Sequence, residues 1–306
     1  MEKALAGLTC RVKPSTRDEA PSWLASVKHH LGAHHSPDLF HVQHELVKAV
    51  SGPSATKQRA AAKTATEAQE RLEQGQRHLQ GAGNAPAKRR PGRPPQATAS
   101  LEPLAQEAQA AHHECERLSA QREQVAQSIR AIGQAYHCVD VERGGCRNGP
   151  RIAADIQAQI ERVRTVAQHE GLSQSCLDRI EKAERVVPTM QATIECVSGY
   201  VRQQVAQLDL TPPVSYAMHA PLLASFSLER VARTRPVSAG EPCRARAERL
   251  RTALFAPGGA LATLRAAEHS ALQHQAKELA EVFQRSSANV EERNGDLSLR
   301  NHQLRG

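Results

Sequence analysis

LEPLAQEAQAAHHECERLSAQREQVAQSIRAI, residues Leu101 to Ile132, repeats its apolar positions every seven residues. Leu101, Cys115 and Ile129 share one heptad position, and Leu104, Leu118, Val125 and Ile132 share the other. Ala108 and Ala111 fill in, and Arg122 is the lone charged exception. Such a stripe keeps one seam of a helix facing a partner helix, which is the coiled-coil pattern. A weaker stripe of Ala61, Ala65, Ala68, Leu72 and Leu79 runs along a second predicted helix, Ala55 to Ala82. Between them, Gly81 to Ser100 is too rich in Gly, Pro and Ala to be helical throughout. The expected arrangement is an antiparallel helical hairpin over residues 51–135 with a loop at its tip.

Composition extends this reading to the whole chain. Aromatic residues are 3% of the 306, and the apolar fraction leans on Ala, Leu and Val. Small aliphatics among Gln, Glu and Arg lose little rotamer freedom in helices, so the expected fold is mainly α. Further helices are predicted over Arg151–His169, Ser173–Val187, Met190–Leu208, Glu241–Phe255 and Ala260–Arg285, broken by Pro212-Pro213, Pro236 and Pro257-Gly-Gly. Near the start, Leu8 to Val12 is a candidate strand, and Asp18 to Leu31 a helix. His34 to Asp38 reads as extended, because Pro37 disfavours helical geometry in Ser36, and Leu39 to Val50 as a separate helix.

The formal charge is +8, from 40 basic and 32 acidic residues, which permits a polyanionic partner without requiring one. Seven cysteines, an odd number with no C-x-x-C pair, suggest reduced thiols and not a disulfide framework or zinc ribbon. There is no apolar run of membrane-span length and no leader-like start, so a cytoplasmic chain with no membrane partner is expected.

Two separated motifs carry the chemistry. Ser36-Pro-Asp-Leu-Phe-His-Val-Gln-His-Glu-Leu46 holds Asp38. Ser286-Ser-Ala-Asn-Val-Glu-Glu-Arg-Asn-Gly295, continuing to Gly306, holds Glu291. Together they resemble the signature stretches of a bacterial insertion-sequence transposase family with a DDE-type, RNase-H-like nuclease. The resemblance covers essentially the whole chain and rests on D-L-F-H-V and N-V-E…R-N-G in that order. It implies three carboxylates holding two Mg²⁺ or Mn²⁺ ions, since strand transfer needs hard anionic ligands for cations at both the attacking and the leaving oxygen. On this resemblance Asp38 is the second catalytic and metal-binding acid and Glu291 the third, 253 residues apart (291 − 38). The first Asp has no counterpart.

The chain would then be the remnant of an RNase-H-like α/β domain, truncated at both ends and interrupted by a large helical insertion. Residues 1–50 would be a partial nuclease region, 136–285 further insertion, and 286–306 the start of the catalytic-Glu segment. Glu292 stands where the family favours Gly, and Asp296 where it favours Tyr. Added negative charge beside a carboxylate site raises its pKa and repels phosphate, as in an inactive descendant that binds no cation stably.

A third motif, Lys88-Arg-Arg-Pro-Gly-Arg-Pro-Pro95, lies in the hairpin loop. Its Gly92-Arg93-Pro94 core resembles an AT-hook, in which an extended Gly-Arg-Pro enters the narrow minor groove of A·T-rich DNA. Lys88, Arg89 and Arg90 would add phosphate contacts, whereas Pro91 replaces the Arg that a hook prefers before Gly. A solvated basic loop is the competing reading. His29, His30, His34, His35, His41 and His44 form a dense cluster, but no Cys or spaced acid completes a tetrahedral zinc set. Cys138 beside His137 is a weaker candidate for a nucleophile pair.

The expected partner is DNA, with room for a homo-oligomer or association with an intact transposase, at the nucleoid of a bacterial cytoplasm. The alternative is a non-enzymatic coiled-coil DNA-binding or scaffold protein using the hook-like loop.

Overall fold

In a computed structural model, the described residues are 14–16, 34–36, 39–83, 101–140, 147–233 and 236–283. Among them the chain is mainly α. Helix α1 (Leu39–Gly83) and helix α2 (Glu102–Ala135) form the expected antiparallel hairpin. On α1 the seam residues Ser54, Gln58, Ala61, Ala65, Ala68, Leu72, Gly75 and Leu79 are buried or half-buried in alternating steps of four and three. Gly75 has a steric purpose: a Cβ there would sit 2.9 Å from Leu101 and 3.1 Å from Leu104, so its absence lets two leucines close the seam. Arg122, the charged exception, is exposed and bridges the seam by donating from Nη1 to Gln58 Oε1 at 2.8 Å. Burial deepens towards the base, where Val125, Ile129 and Ile132 join the main core.

The predicted break between residues 50 and 55 is corrected. Helix α1 runs unbroken through Gly52 and Pro53 for 45 residues, so the boundary drawn at residue 50 falls inside it. An interior proline costs roughly 3 kcal/mol through its missing donor and ring clash. Packing offsets this on both sides of it. Leu46, Ala49 and Val50 are fully buried before Pro53, and after it Ser54 Oγ donates to the buried Glu170 at 2.8 Å. Lys57 also donates to the Glu170 backbone carbonyl. Helix stability inside a protein comes chiefly from such contacts, and local propensity yields to them.

Helix α3 (Gly149–His169) is the central element, packing on α1, on α2, on α4 (Gln174–Glu184) and on α5 (Val187–Ala206). Asn148 caps it by accepting from the Arg151 N–H at 2.9 Å, and Pro150 fits its first turn. Ile152, Ile156, Ile160 and Val163 form its buried stripe. Gly171, with φ of +59°, ends it: the Leu172 N–H reaches the Ala167 carbonyl and the Gly171 N–H the Gln168 carbonyl.

The segment after Pro212, left unassigned from sequence, is helical. Helix α6 (Pro212–Ala217) passes through a π-helical turn, Met218–Leu222, into α7 (Leu223–Arg233). Pro221 lies inside that turn, where the widened hydrogen-bond pattern accommodates its missing donor. Helix α8 (Val237–Phe255) packs on α7 around a small second core of Leu228, Val231, Cys243 and Ala247. The last helix, α9 (Ala266–Glu281), starts later than predicted, because residues 256–265 are spent on turns around Gly258 and Gly259.

Two short strands complete the description, β1 (Pro14–Thr16) and β2 (His34–Ser36), paired in parallel with Ser15 opposite His35. The extended reading of His34 to Ser36 is met. The candidate strand Leu8–Val12 and helix Asp18–Leu31 lie outside the described residues. Strand β2 runs against α5. The main core joins Leu39 at the start of α1 to Phe283 beyond α9, thus drawing on three of the segments expected from sequence. No helix among the described residues is long and apolar enough to cross a membrane.

One surface contact between α1 and α4 has a pH consequence. Glu45 accepts from Arg179 at 2.8 Å and from Lys182 at 3.1 Å. Partial burial alone would raise its carboxyl pKa, but the bonds and charges of Lys182 and Arg179 outweigh that and hold it below its ordinary 4.5. A carboxylate with a lowered folded pKa contributes stability that is full above 4.5 and is lost as pH falls through the lowered value. Because both cations are well exposed, the contribution is about 1 kcal/mol or less. Urea midpoints measured between pH 6 and pH 3 should therefore fall further for the wild type than for Glu45→Gln.

Candidate functional site

Both acids predicted from sequence lie outside the described residues, and the described residues nearest to them, Leu39 and Phe283, belong to the main core. Asp38 immediately precedes α1 and lies outside the described residues. Its motif neighbours Leu39 and Val42 are buried in the main core, whereas Phe40 is exposed and stacks on His44 at 5.4 Å. Gln43 fixes the register there, donating from Nε2 to the Ile129 carbonyl at 2.9 Å. It also lies over Gly133, where a Cβ would come within 2.8 Å of it. Antiparallel pairing from that contact sets Leu39 level with the last turn of α2 and Tyr136.

Phe283, just beyond α9, packs edge-on against Tyr136 with ring centroids 5.5 Å apart and tilts over His137 at 5.7 Å. Tyr136 and His137 are buried and His137 Nδ1 accepts from the Val139 N–H at 3.4 Å. Arg230 on α7 fixes the end of α9 by donating to the Ala280 carbonyl at 2.8 Å and to the Phe283 carbonyl at 2.6 Å. Its Nε also pairs with Glu281 at 3.2 Å. Free carbonyls at a helix C-terminus favour such a cation. Glu291 lies outside the described residues, eight positions beyond Phe283 (291 − 283).

Residues 218–306 match a family described as Family of unknown function (DUF6399). The matched stretch begins at the π-helical turn and includes the Glu291 motif. No curated protein and no solved structure matches the chain.

The other sequence candidates divide in the same way. Lys88, Arg89, Arg90, Gly92, Arg93 and Pro94 all lie outside the described residues, between the ends of α1 and α2. His41 and His44 sit on the first turns of α1, and no group of three His, Cys, Asp or Glu among the described residues could hold a metal ion. The His137–Cys138 pair is drawn into structure, with His137 buried against Phe283 and the Cys138 carbonyl accepting from the Arg147 N–H at 3.0 Å. No disulfide occurs among the described residues.

Sequence reasoning missed one cluster. Arg147, Arg151 and Arg162 from α3 and its approach share a cleft with Arg246 and Arg249 of α8. Nearly a hundred residues separate the two sets, so only the isolated helical spacing of Arg151 and Arg162, on the face opposite the isoleucines, was visible in the chain.

Proposed function

We propose that this chain is a transposase-derived DNA-binding protein, a helical region set into a remnant of an RNase-H-like nuclease fold, that no longer cuts DNA by itself. The observation that supports the reading is that Leu39 and Phe283, the described residues nearest to the two acids, belong to one apolar core with Tyr136. Phe283 packs on Tyr136, and the pairing of α1 with α2 through Gln43 brings Leu39 level with the same turn. Two carboxylates that share cations must be close, however far apart they lie in the chain.

The strand pair supports the same reading. Parallel strands need a crossover of a dozen or more residues, and 17 residues separate Thr16 from His34 (34 − 16 − 1). In this proposal β1, β2 and the first turns of α1, to residue 50, belong to the nuclease remnant, and the helices from there to residue 285 form the insertion. The implied cofactor is Mg²⁺ or Mn²⁺, whose preference for hard oxygen ligands suits Asp38 and Glu291. Two such ligands hold a cation weakly, so the chain alone lacks cleavage activity.

DNA contact in this reading comes first from the loop between α1 and α2. Replacing Arg93 by Ala should weaken binding to an A·T-rich duplex by roughly tenfold and to a G·C-rich duplex much less, as expected when one arginine reads the narrow minor groove. Fluorescence anisotropy on the two labelled duplexes measures this. Equal losses on both would reduce the loop to plain phosphate attraction.

A further inference from the structure

Among the described residues, most arginines are neutralised where they stand. Arg117 pairs with Glu114, Arg130 with Glu123, Arg185 with Glu181, and Arg251 with Glu229 and Glu248. The cleft between α3, the base of α2 and α8 breaks that habit. It encloses about 690 Å³ and is lined by five arginines against two aspartates, Asp140 and Asp155. Asp155 is engaged by Arg147, whose side chain is only 14% exposed and also donates to the Ala135 carbonyl at 3.3 Å. This pair builds the wall. Arg151, Arg162 and Arg249 are exposed, and among the described residues no carboxylate lies within ion-pair range of any of them.

We infer that this cleft is a second DNA-contact surface, which takes the phosphodiester backbone of a duplex. Arg151 and Arg162 lie eleven residues apart on one face of α3, about 16 Å along its axis. That span matches roughly five phosphates of one strand. A single small anion cannot be shared over such a length, whereas a polyanion engages the whole row. Gln134 and Gln159, which also line the cleft, add neutral donors of the kind that position a backbone without reading its sequence. The inference deepens the DNA reading above but is independent of the loop at the hairpin tip and of both acids.

The test uses the full chain and a G·C-rich duplex of about 25 base pairs, followed by fluorescence anisotropy over a range of KCl concentrations. The triple variant Arg151→Gln, Arg162→Gln, Arg249→Gln should bind at least tenfold more weakly near 0.1 M salt. Its plot of log affinity against log salt should be shallower by roughly two to three, at about 0.9 per lost phosphate contact. The matching triple Lys variant, which keeps the charges, should retain the wild-type slope. An unchanged slope in the Gln variant would overturn the inference. If, at the same time, replacing Lys88, Arg89, Arg90 and Arg93 by Gln abolished binding, the DNA reading would stand without the cleft. Failure of the wild type to bind any duplex would remove both. Binding of inorganic pyrophosphate without duplex binding would assign the cleft to small anions instead and overturn the inference.

Discussion

Replacing Ile156 by alanine is expected to lower the unfolding free energy by about 2–5 kcal/mol, the range for truncating a fully buried aliphatic that leaves a cavity. Ile156 has no exposed surface and sits mid-way along α3, the helix that α1, α2, α4 and α5 all touch. Four elements would have to shift together to refill the space, so little of the cavity can collapse. Neighbouring Gln157 is exposed, and Gln157→Ala should change the urea midpoint hardly at all. If the two variants unfolded at similar urea concentrations, α3 would not be the centre of the core.

Gly259→Ala is the second large effect. A Cβ at this position would lie 2.3 Å from the Leu254 carbonyl oxygen and 2.5 Å from that of Ala253. Both are backbone atoms at the end of α8, and the Leu254 oxygen already accepts from the Leu261 N–H at 3.0 Å. Neither can rotate away, so the turn must open and draw the fully buried Leu261 with it. A cost of about 1–3 kcal/mol is expected, read as a lower thermal midpoint. Adjacent Gly258 provides the contrast. Its added Cβ would meet open space, and its φ of +83° alone makes Gly258→Ala unfavourable, by about 1 kcal/mol. A larger loss at Gly258 than at Gly259 would contradict this account of the turn.

What the sequence revealed follows from the range of each signal. The hairpin was legible because a seven-residue repeat is local and the seam of Ala68, Leu72, Leu118 and Val125 states it twice. Helix α3 was legible from its isoleucine spacing. The expected break between Val50 and Ala55 does not occur, since the contacts that carry α1 through Pro53 come from Glu170, more than a hundred residues away. The π-helical turn at Pro221 was hidden because closely spaced prolines at 212, 213 and 221 read as helix breakers in the chain. The arginine cleft could not be read as a cluster because its two halves, remote in the chain, meet only where α8 and α3 line one cleft. For the proposed nuclease remnant, the sequence supplies the motif residues Asp38 and Glu291, both outside the described residues, and the structure shows only that Leu39 and Phe283 share the main core.

The most direct test of the proposed shared site uses Fe²⁺ in place of Mg²⁺, at a concentration high enough to fill a weak two-carboxylate site, with ascorbate and peroxide, so that a bound iron cuts the polypeptide beside its ligands. The account predicts backbone cleavage in two places, near Asp38 and near Glu291, with both lost together in Asp38→Asn and in Glu291→Gln. Cleavage at only one of the segments, or at neither, or cleavage at one that persists when the other acid is replaced, would contradict it.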